Sequence, residues 1–174
     1  MPVHDQGLFY ERYQIIPRVL IFVTRGDSIL LIKGSPQKPL WANLYNGIGG
    51  HVEKGEDILS AARREFFEET GLNLLSPWLC ALVTIDTGKD TGIGMYVFRG
   101  EVSSKKPKAS SEGSLEWIPL GEIQYIPLVE DLPILIPQIK KMKRNSPPLF
   151  LHYNYDEHDT LIIHAEGREL SINQ

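Results

Sequence analysis

The segment from residue 57 to residue 70 constrains the fold more than any other part of this sequence. Four apolar side chains recur there at the spacing of one helix face: Ile58, Ala61, Ala62 and Phe66. Gly71 follows at a position where helices commonly end. Three glutamates fall within an arc of about 100° on the same helix: Glu65, Glu68 and Glu69. Ile58 and Ala61 lie in that arc, so the pattern predicts an amphipathic helix whose inward stripe becomes acidic in its last turn.

Such a cluster of carboxylates requires compensation, because like charges three and four residues apart on a helix repel. Arg64 lies one turn before Glu68 and cannot neutralise three glutamates alone. Hard divalent cations bind carboxylate oxygens, and magnesium is typically held by a few carboxylates together with substrate phosphates. A solvated acidic face is the alternative interpretation. The glycine-rich loop at 45–52 and the amphipathic pattern favour a cation site over that alternative.

The remaining sequence predicts more strands than helices. Apolar runs at 19–23 and 29–32 flank a tight turn and indicate two strands. Further strands are predicted at 79–85, 94–102, 115–120, 149–155 and 160–164, and a second helix over 134–143 with Lys140, Lys141 and Lys143 in its last turns. The length of 174 residues fits one domain over 1–174. The predicted fold class is therefore α+β with a mixed sheet.

Composition excludes several functional classes. The formal charge of −4 argues against a sequence-independent binder of nucleic acid polymers, which usually carries a basic excess. Cys80 is the only cysteine, so the chain has no internal disulfide and no cysteine-based zinc site. The sequence contains no run of about 18 apolar residues and no basic leader with an apolar core, so we expect no membrane span and a cytoplasmic location.

The segment 50–72 resembles the Nudix box, the signature of the Nudix hydrolases, at all nine specified positions. These positions are Gly50, Glu56, Arg64, Glu65, Phe66, Glu68, Glu69, Gly71 and Leu72. The resemblance implies an α/β/α sandwich with a mixed sheet, in which the box forms a loop-helix-loop. It also implies hydrolysis of a nucleoside diphosphate linked to another moiety, with Mg²⁺ or Mn²⁺ as the cofactor.

The resemblance assigns roles to individual residues. It implies that the metal ligands are the side chains of Glu65, Glu68 and Glu69 and the carbonyl of Gly49, with one of the glutamates as the base that deprotonates water. Arg64 is expected to orient the glutamates by charge-assisted hydrogen bonds. Glu112, in a loop before a predicted strand, is the candidate for a further metal ligand, with a plain surface residue as the alternative.

Outside the box, the loop Tyr45-Asn46-Gly47-Ile48-Gly49-Gly50 and the segments at 117–120, 128–131 and 159–160 resemble hydrolases of oxidised purine nucleoside triphosphates. In that subgroup an asparagine and an acidic residue bind the purine edge, which implies Asn46 and Asp131 here. The alternatives are a turn residue for Asn46 and an exposed helix-start residue for Asp131. Lys33 is a candidate for contact with phosphates. Val129 departs from the subgroup, because some members carry a stacking aromatic there.

These features together predict an enzyme with a nucleotide substrate. The expected reaction is metal-dependent hydrolysis of a nucleoside triphosphate to a monophosphate and pyrophosphate, with oxidised purine nucleotides such as 8-oxo-dGTP as candidate substrates. The alternatives are another nucleoside diphosphate derivative, such as ADP-ribose or a dinucleoside polyphosphate, and a non-catalytic nucleotide-binding regulator. The oligomeric state is left open, with a homodimer as one alternative.

Overall fold

The computed structural model describes residues 2–7, 9, 11–37, 39–103, 106–108 and 113–170. In these ranges the chain forms ten strands, two α-helices and short 3₁₀ turns at Val3–Gln6 and Ile123–Tyr125. The strands are β1 (Gln14–Arg25), β2 (Ser28–Gly34), β3 (Tyr45–Asn46), β4 (Ile48–His51), β5 (Leu75–Ile85), β6 (Thr91–Glu101), β7 (Gly113–Pro119), β8 (Leu149–Tyr155), β9 (Leu161–Ala165) and β10 (Arg168–Leu170). The α-helices are α1 (Ile58–Thr70) and α2 (Leu132–Lys141).

The strands form one mixed sheet in the order β10-β9-β8-β5-β6-β1-β2-β3, with β4 paired to β1 and β7 paired to β2. Two neighbouring pairs are parallel, β1 with β6 and β5 with β8, and the other pairs are antiparallel. Parallel neighbours need long crossover connections, and α1 lies in the chain between β1 and β6 while α2 lies between β5 and β8. The predicted mixed sheet is confirmed.

Strand β1 shows why the helices cover opposite faces of the sheet. Side chains alternate between the two faces of a strand, so a strand buried on both faces has a continuous apolar run. Val19, Ile21 and Val23 belong to the core cluster that contains Ala61, Ala62 and Phe66 of α1. Leu20 and Phe22 belong to the other cluster, which contains Leu132, Leu135, Ile136 and Ile139 of α2. The predicted α/β/α sandwich is confirmed.

Helix α1 has the boundaries that its sequence predicts. The Asp57 side chain accepts hydrogen bonds from the backbone N–H groups of Leu59 at 2.9 Å and Ser60 at 3.0 Å, which satisfies two donors at the helix start. Gly71 adopts a left-handed backbone conformation with φ 67°, and its N–H donates to the Phe67 carbonyl at 2.7 Å. These caps fix where the helix begins and ends, and the packing of its apolar face against β1 sets the position of the helix relative to the sheet.

Helix α2 differs from its prediction at both ends. It begins at Leu132 rather than residue 134, because Pro133 lies in the first turn, where a missing N–H leaves no hydrogen bond unmade. The prediction that Lys143 lies in its last turns is wrong. The helix ends at Lys141, and the backbone at Lys143 instead forms a turn with Ser146, with the Lys143 N–H donating to the Ser146 hydroxyl at 3.0 Å.

The C-terminal hairpin also extends further than predicted. Beyond β8 and β9, the chain turns through Glu166 and Gly167, both with positive φ, and adds β10 at the edge of the sheet. None of the helices in the described ranges is both long and apolar enough to cross a membrane.

Candidate active site

The glycine-rich end of β4 lies directly under the acidic end of α1. A Cβ atom built on Gly50 would overlap the carboxylate of Glu65, and one on Gly49 would overlap the backbone of Val19. Only glycine at position 49 therefore allows the β4 backbone to approach β1 this closely, whereas a side chain at position 50 would displace the Glu65 carboxylate. Strand β4 thus lies against both β1 and the acidic end of α1.

Arg64 is the centre of an ion-pair network that connects the loop to the helix. Its guanidinium donates to both oxygens of Glu56, at 2.6 Å and 3.1 Å, and to the His51 carbonyl at 3.0 Å. The Nη1 atom donates to Glu65 Oε1 at 2.9 Å and to Glu68 Oε2 at 3.1 Å. The hydrogen bonds from Arg64 lower the pKa of the Glu56 carboxyl, and those to Glu56 and Glu65 raise the pKa of Arg64.

The three box glutamates differ in burial. Glu69 is buried and the Glu65 side chain is 15% exposed, whereas the Glu68 side chain is 58% exposed. The prediction of an inward acidic stripe is confirmed for Glu65 and Glu69 and is wrong for Glu68. Glu65 and Glu69 are four residues apart and project about 40° from each other, whereas Glu68 projects to the other side of Glu65, towards solvent.

The donor chemistry of this region fits a hard divalent cation. Three carboxylates and the backbone carbonyl of Gly49 offer oxygen ligands of the kind that Mg²⁺ and Mn²⁺ prefer, and Gly49 and Glu69 line one small cavity of about 90 Å³. Across the described ranges, no three His, Cys, Asp or Glu side chains already converge on one point. Arg64 holds oxygens of Glu65 and Glu68 in this arrangement. Glu112, the candidate for a further ligand, lies outside the described residues.

A second cavity, of about 270 Å³, brings together the two residues predicted to bind a purine edge. Asn46 and Asp131 both line it, although they are far apart in the sequence. They meet because the chain before α2 pairs with β3: the Tyr45 N–H donates to the Pro127 carbonyl at 2.8 Å, and the Val129 N–H donates to the Tyr45 carbonyl at 2.9 Å. Asn46 also lines the small cavity with Glu69, so the two cavities adjoin each other.

Asp131 is buried, so the alternative of an exposed helix-start residue is wrong. Burial raises the pKa of its carboxyl to about 6. The Tyr153 hydroxyl donates to Asp131 Oδ2 at 3.4 Å, which partly offsets this effect. Asn46 keeps some turn character, since its Oδ1 accepts the Gly47 N–H at 2.7 Å. Both residues nevertheless line a cavity whose surface is largely apolar.

Several residues that line the 270 Å³ cavity were not predicted from the sequence: Arg18, Met95, Glu130 and Tyr155. Trp41, which is 45% exposed, also lines it, and Val129 lies in its wall. Of the missed residues, only Arg18 had a visible signal. It is a cation beside the apolar run of β1, on the same strand face as Leu20.

Lys33 lies apart from the other predicted substrate residues. Its ammonium group is 5.4 Å from the centre of the Tyr45 ring, an arrangement that permits a cation–π interaction. It lines a separate depression with Ser35 and Asn43. Contact between Lys33 and phosphates therefore stays a prediction.

The raised pKa of Asp131 predicts that Asp131→Asn stabilises the protein at neutral pH and above. Between the ordinary value of 3.8 and the folded value of about 6, the folded protein binds more protons than the unfolded chain, so the free energy of unfolding falls as pH rises. Asparagine stays neutral and avoids this loss. We expect the variant to be more stable than the wild type by up to about 3 kcal/mol at about pH 8, with the difference shrinking towards about pH 4. Urea unfolding at both pH values measures it.

Asp156→Asn is the control for this prediction. Backbone hydrogen bonds from Thr160 at 2.9 Å and His158 at 2.8 Å lower the pKa of the Asp156 carboxyl. The contribution of Asp156 to stability therefore changes with pH in the direction opposite to that of Asp131. Its stabilising effect is present above the ordinary pKa and is lost as pH falls, so this variant loses stability at about pH 8. An Asp131→Asn difference that is the same at both pH values would contradict the assigned cause.

The chain is similar to known proteins over most of its length. Residues 15–139 match the NUDIX domain. The oxidized purine nucleoside triphosphate hydrolase of Danio rerio is 28% identical over 147 residues, covering 83% of this chain and 90% of that protein. The enzyme of the same name from Mus musculus is 24% identical, covering 84% and 90% respectively. The crystal structure of the MutT protein from Bacillus halodurans superposes with a TM-score of 0.68 at 24% identity, covering 88% of this chain and 99% of that one.

The family match extends over most of the chain and includes β1, the box and nearly all of α2. The solved structure shares the α/β/α fold. The prediction of an enzyme built on the box is confirmed at this level: the chain belongs to the NUDIX hydrolase family.

Proposed function

We propose that this protein hydrolyses a nucleoside triphosphate to a nucleoside monophosphate and pyrophosphate, with oxidised purine triphosphates such as 8-oxo-dGTP as preferred substrates. The observation that carries the proposal is the adjoining pair of cavities. One is lined by Asn46 and Asp131, and the other by Asn46, Gly49 and Glu69. The names of the fish and mouse relatives support the same substrate class.

The larger cavity suits a base rather than a whole nucleotide. Its volume of about 270 Å³ lies just below the range of roughly 300–1,000 Å³ that is usual for pockets of drug-sized ligands. Asn46 offers a donor and an acceptor, and Asp131 offers an acceptor when ionised or a donor when protonated. With a pKa of about 6, Asp131 has both forms within reach near neutral pH. A purine edge with mixed donors and acceptors is the chemistry that these two groups recognise.

The box residues carry the chemical step in this proposal. Glu65, Glu68, Glu69 and the Gly49 carbonyl would hold Mg²⁺ or Mn²⁺, which offsets charge on the phosphoryl oxygens and lowers the pKa of water. A box glutamate accepts the proton of the attacking water. The water oxygen bonds to one phosphorus of the α–β anhydride as the bond from that phosphorus to the bridging oxygen breaks, which separates the nucleoside monophosphate from pyrophosphate. Arg64 positions Glu65 and Glu68 through the hydrogen bonds described above.

Divalent cations should stabilise the free protein, because binding relieves repulsion among the box glutamates and favours the folded state. We expect the Tm to rise by about 3–6 °C for each tenfold increase in free Mg²⁺ or Mn²⁺ above its Kd. Thermal unfolding in EDTA and across millimolar cation measures the effect. Sodium chloride at equal ionic strength and the Glu69→Gln variant are the controls, and neither should show the same rise. A wild-type Tm that is unchanged by Mg²⁺ and by Mn²⁺ would count against the metal assignment.

A substrate panel tests the proposed function. The panel contains 8-oxo-dGTP, dGTP, a pyrimidine triphosphate, ADP-ribose and a dinucleoside polyphosphate, each with Mg²⁺, and kcat/KM is the quantity compared. The proposal predicts the highest kcat/KM for 8-oxo-dGTP. A higher value for ADP-ribose or the dinucleoside polyphosphate would support the alternative Nudix substrates. Binding without hydrolysis of any of them would support a nucleotide-binding regulator.

A further inference from the structure

Arg18 occupies the junction between the cavity with Asn46 and Asp131 and the loop of the box. It lines that cavity, and it also lines a depression of about 230 Å³ that contains Gly49, Gly50 and His51. The backbone places it there, because β1 pairs with β4 in a register that sets Arg18 opposite His51 and Val19 opposite Gly50. The side chain of Arg18 therefore borders both halves of the site.

The guanidinium of Arg18 has a hydrogen-bond donor that no described residue uses. Its Nε atom is buried and donates no hydrogen bond to any of the described residues. A buried donor left in this state destabilises the folded protein. The carboxylates that line the same cavity already have other partners, since Glu130 Oε1 accepts the Leu161 N–H at 3.0 Å and Asp131 Oδ2 accepts the Tyr153 hydroxyl.

The chemistry of the expected partner follows from the position and the group. A guanidinium is planar, always charged and matched to the paired oxygens of a phosphate. A nucleotide whose base fills the 270 Å³ cavity and whose diphosphate lies at the box must carry its first phosphate between them. Gly49 and Gly50 have no side chains to block an approach to that point.

We propose that Arg18 binds a non-bridging oxygen of the α-phosphate and thereby couples base binding to alignment of the bond to be broken. This assignment rests on the proposed function for the orientation of the nucleotide. It makes Arg18 a substrate-binding residue outside the box. The affinity gained from the first phosphate, measured as the ratio of nucleoside Kd to monophosphate Kd, is the quantity that Arg18 controls.

Binding measured in EDTA, without hydrolysis, tests the assignment. Titration calorimetry compares 8-oxo-dGMP with 8-oxo-deoxyguanosine, and AMP with adenosine, on the wild type and on Arg18→Met, which keeps the apolar length of the side chain. We expect Arg18→Met to weaken both monophosphates by about tenfold and both nucleosides by less than about twofold. Arg25→Met, which removes a cation from the far end of β1, is the matched control and should leave all four affinities unchanged. Urea unfolding verifies that both variants are folded.

The possible failures are distinguishable. Equal weakening of nucleoside and monophosphate would overturn the assignment, because Arg18 would then contact the base. Unchanged affinity for the monophosphates, or a wild type that binds monophosphate no more tightly than nucleoside, would overturn it as well. If AMP shows the tenfold effect and 8-oxo-dGMP has no preference over AMP, Arg18 is confirmed as a phosphate-binding residue while the oxidised-purine substrate is rejected.

Discussion

Glu69→Gln and Glu65→Gln are each expected to lower kcat by at least about a hundredfold, equivalent to about 2.7 kcal/mol of transition-state stabilisation. Each substitution removes the negative charge of a proposed metal ligand at the buried end of α1 while keeping the size of the side chain. The lost charge destabilises the transition state most, because charge develops on the phosphoryl oxygens there. We therefore expect kcat to fall, and not only KM to rise. The measurement is kcat with 8-oxo-dGTP at saturating Mg²⁺.

Two controls separate this effect from a loss of fold. Glu122→Gln removes an exposed carboxylate outside the box and should leave kcat unchanged. Urea unfolding should show both box variants to be folded, because fewer like charges then lie together on α1. Rates close to the wild type in both Glu65→Gln and Glu69→Gln would remove the basis for a catalytic metal at the box.

Asn46→Ala and Asp131→Asn are expected to reduce discrimination among bases more than they affect the chemical step. A cavity that hydrogen-bonds a base rejects the wrong base because buried polar groups are left unpaired, whereas an apolar cavity discriminates weakly. We expect kcat/KM for the preferred purine triphosphate to fall by about tenfold or more in each variant. Hydrolysis of poor substrates should change little, since the box is untouched.

The measurement is the ratio of kcat/KM values for 8-oxo-dGTP, dGTP and a pyrimidine triphosphate in the wild type and both variants. Asp131→Asn is informative because it is also expected to stabilise the protein at neutral pH, so lost discrimination cannot come from partial unfolding. If all rates fall together and the ratios stay constant, Asn46 and Asp131 do not bind the base. The substrate would then be a broader class of nucleotide.

The helix of the box was predictable because its signals are local. The apolar spacing and the terminal Gly71 both act locally, and the structure shows each of them together with a capping Asp57 that was not predicted. The apolar runs of β1 and β2 were equally informative. Their unbroken hydrophobicity indicates strands buried on both faces, as the two core clusters on either side of the sheet confirm.

The rest of the site depends on contacts that no local pattern encodes. Arg18 and Asp131 meet in one cavity because the chain after β7 returns to pair with Tyr45, a long-range contact. The Glu56–Arg64 pair spans eight residues across the helix start. Likewise, the outward position of Glu68 depends on how α1 is rotated against the sheet, which its sequence periodicity fixes only to within about one residue. The sequence therefore predicts which residues belong to the site better than it predicts how they are arranged.

The products formed from 8-oxo-dGTP with Mg²⁺ test the central claim most directly. Pyrophosphate and orthophosphate are quantified together with the nucleotide product, for the wild type and for Glu69→Gln. We predict that the wild type releases one pyrophosphate for each 8-oxo-dGMP formed, with no orthophosphate, and that Glu69→Gln releases pyrophosphate at least about a hundredfold more slowly. Orthophosphate and a nucleoside diphosphate as the products, or no hydrolysis by the wild type, would contradict the proposal that the box breaks the α–β bond of a nucleoside triphosphate.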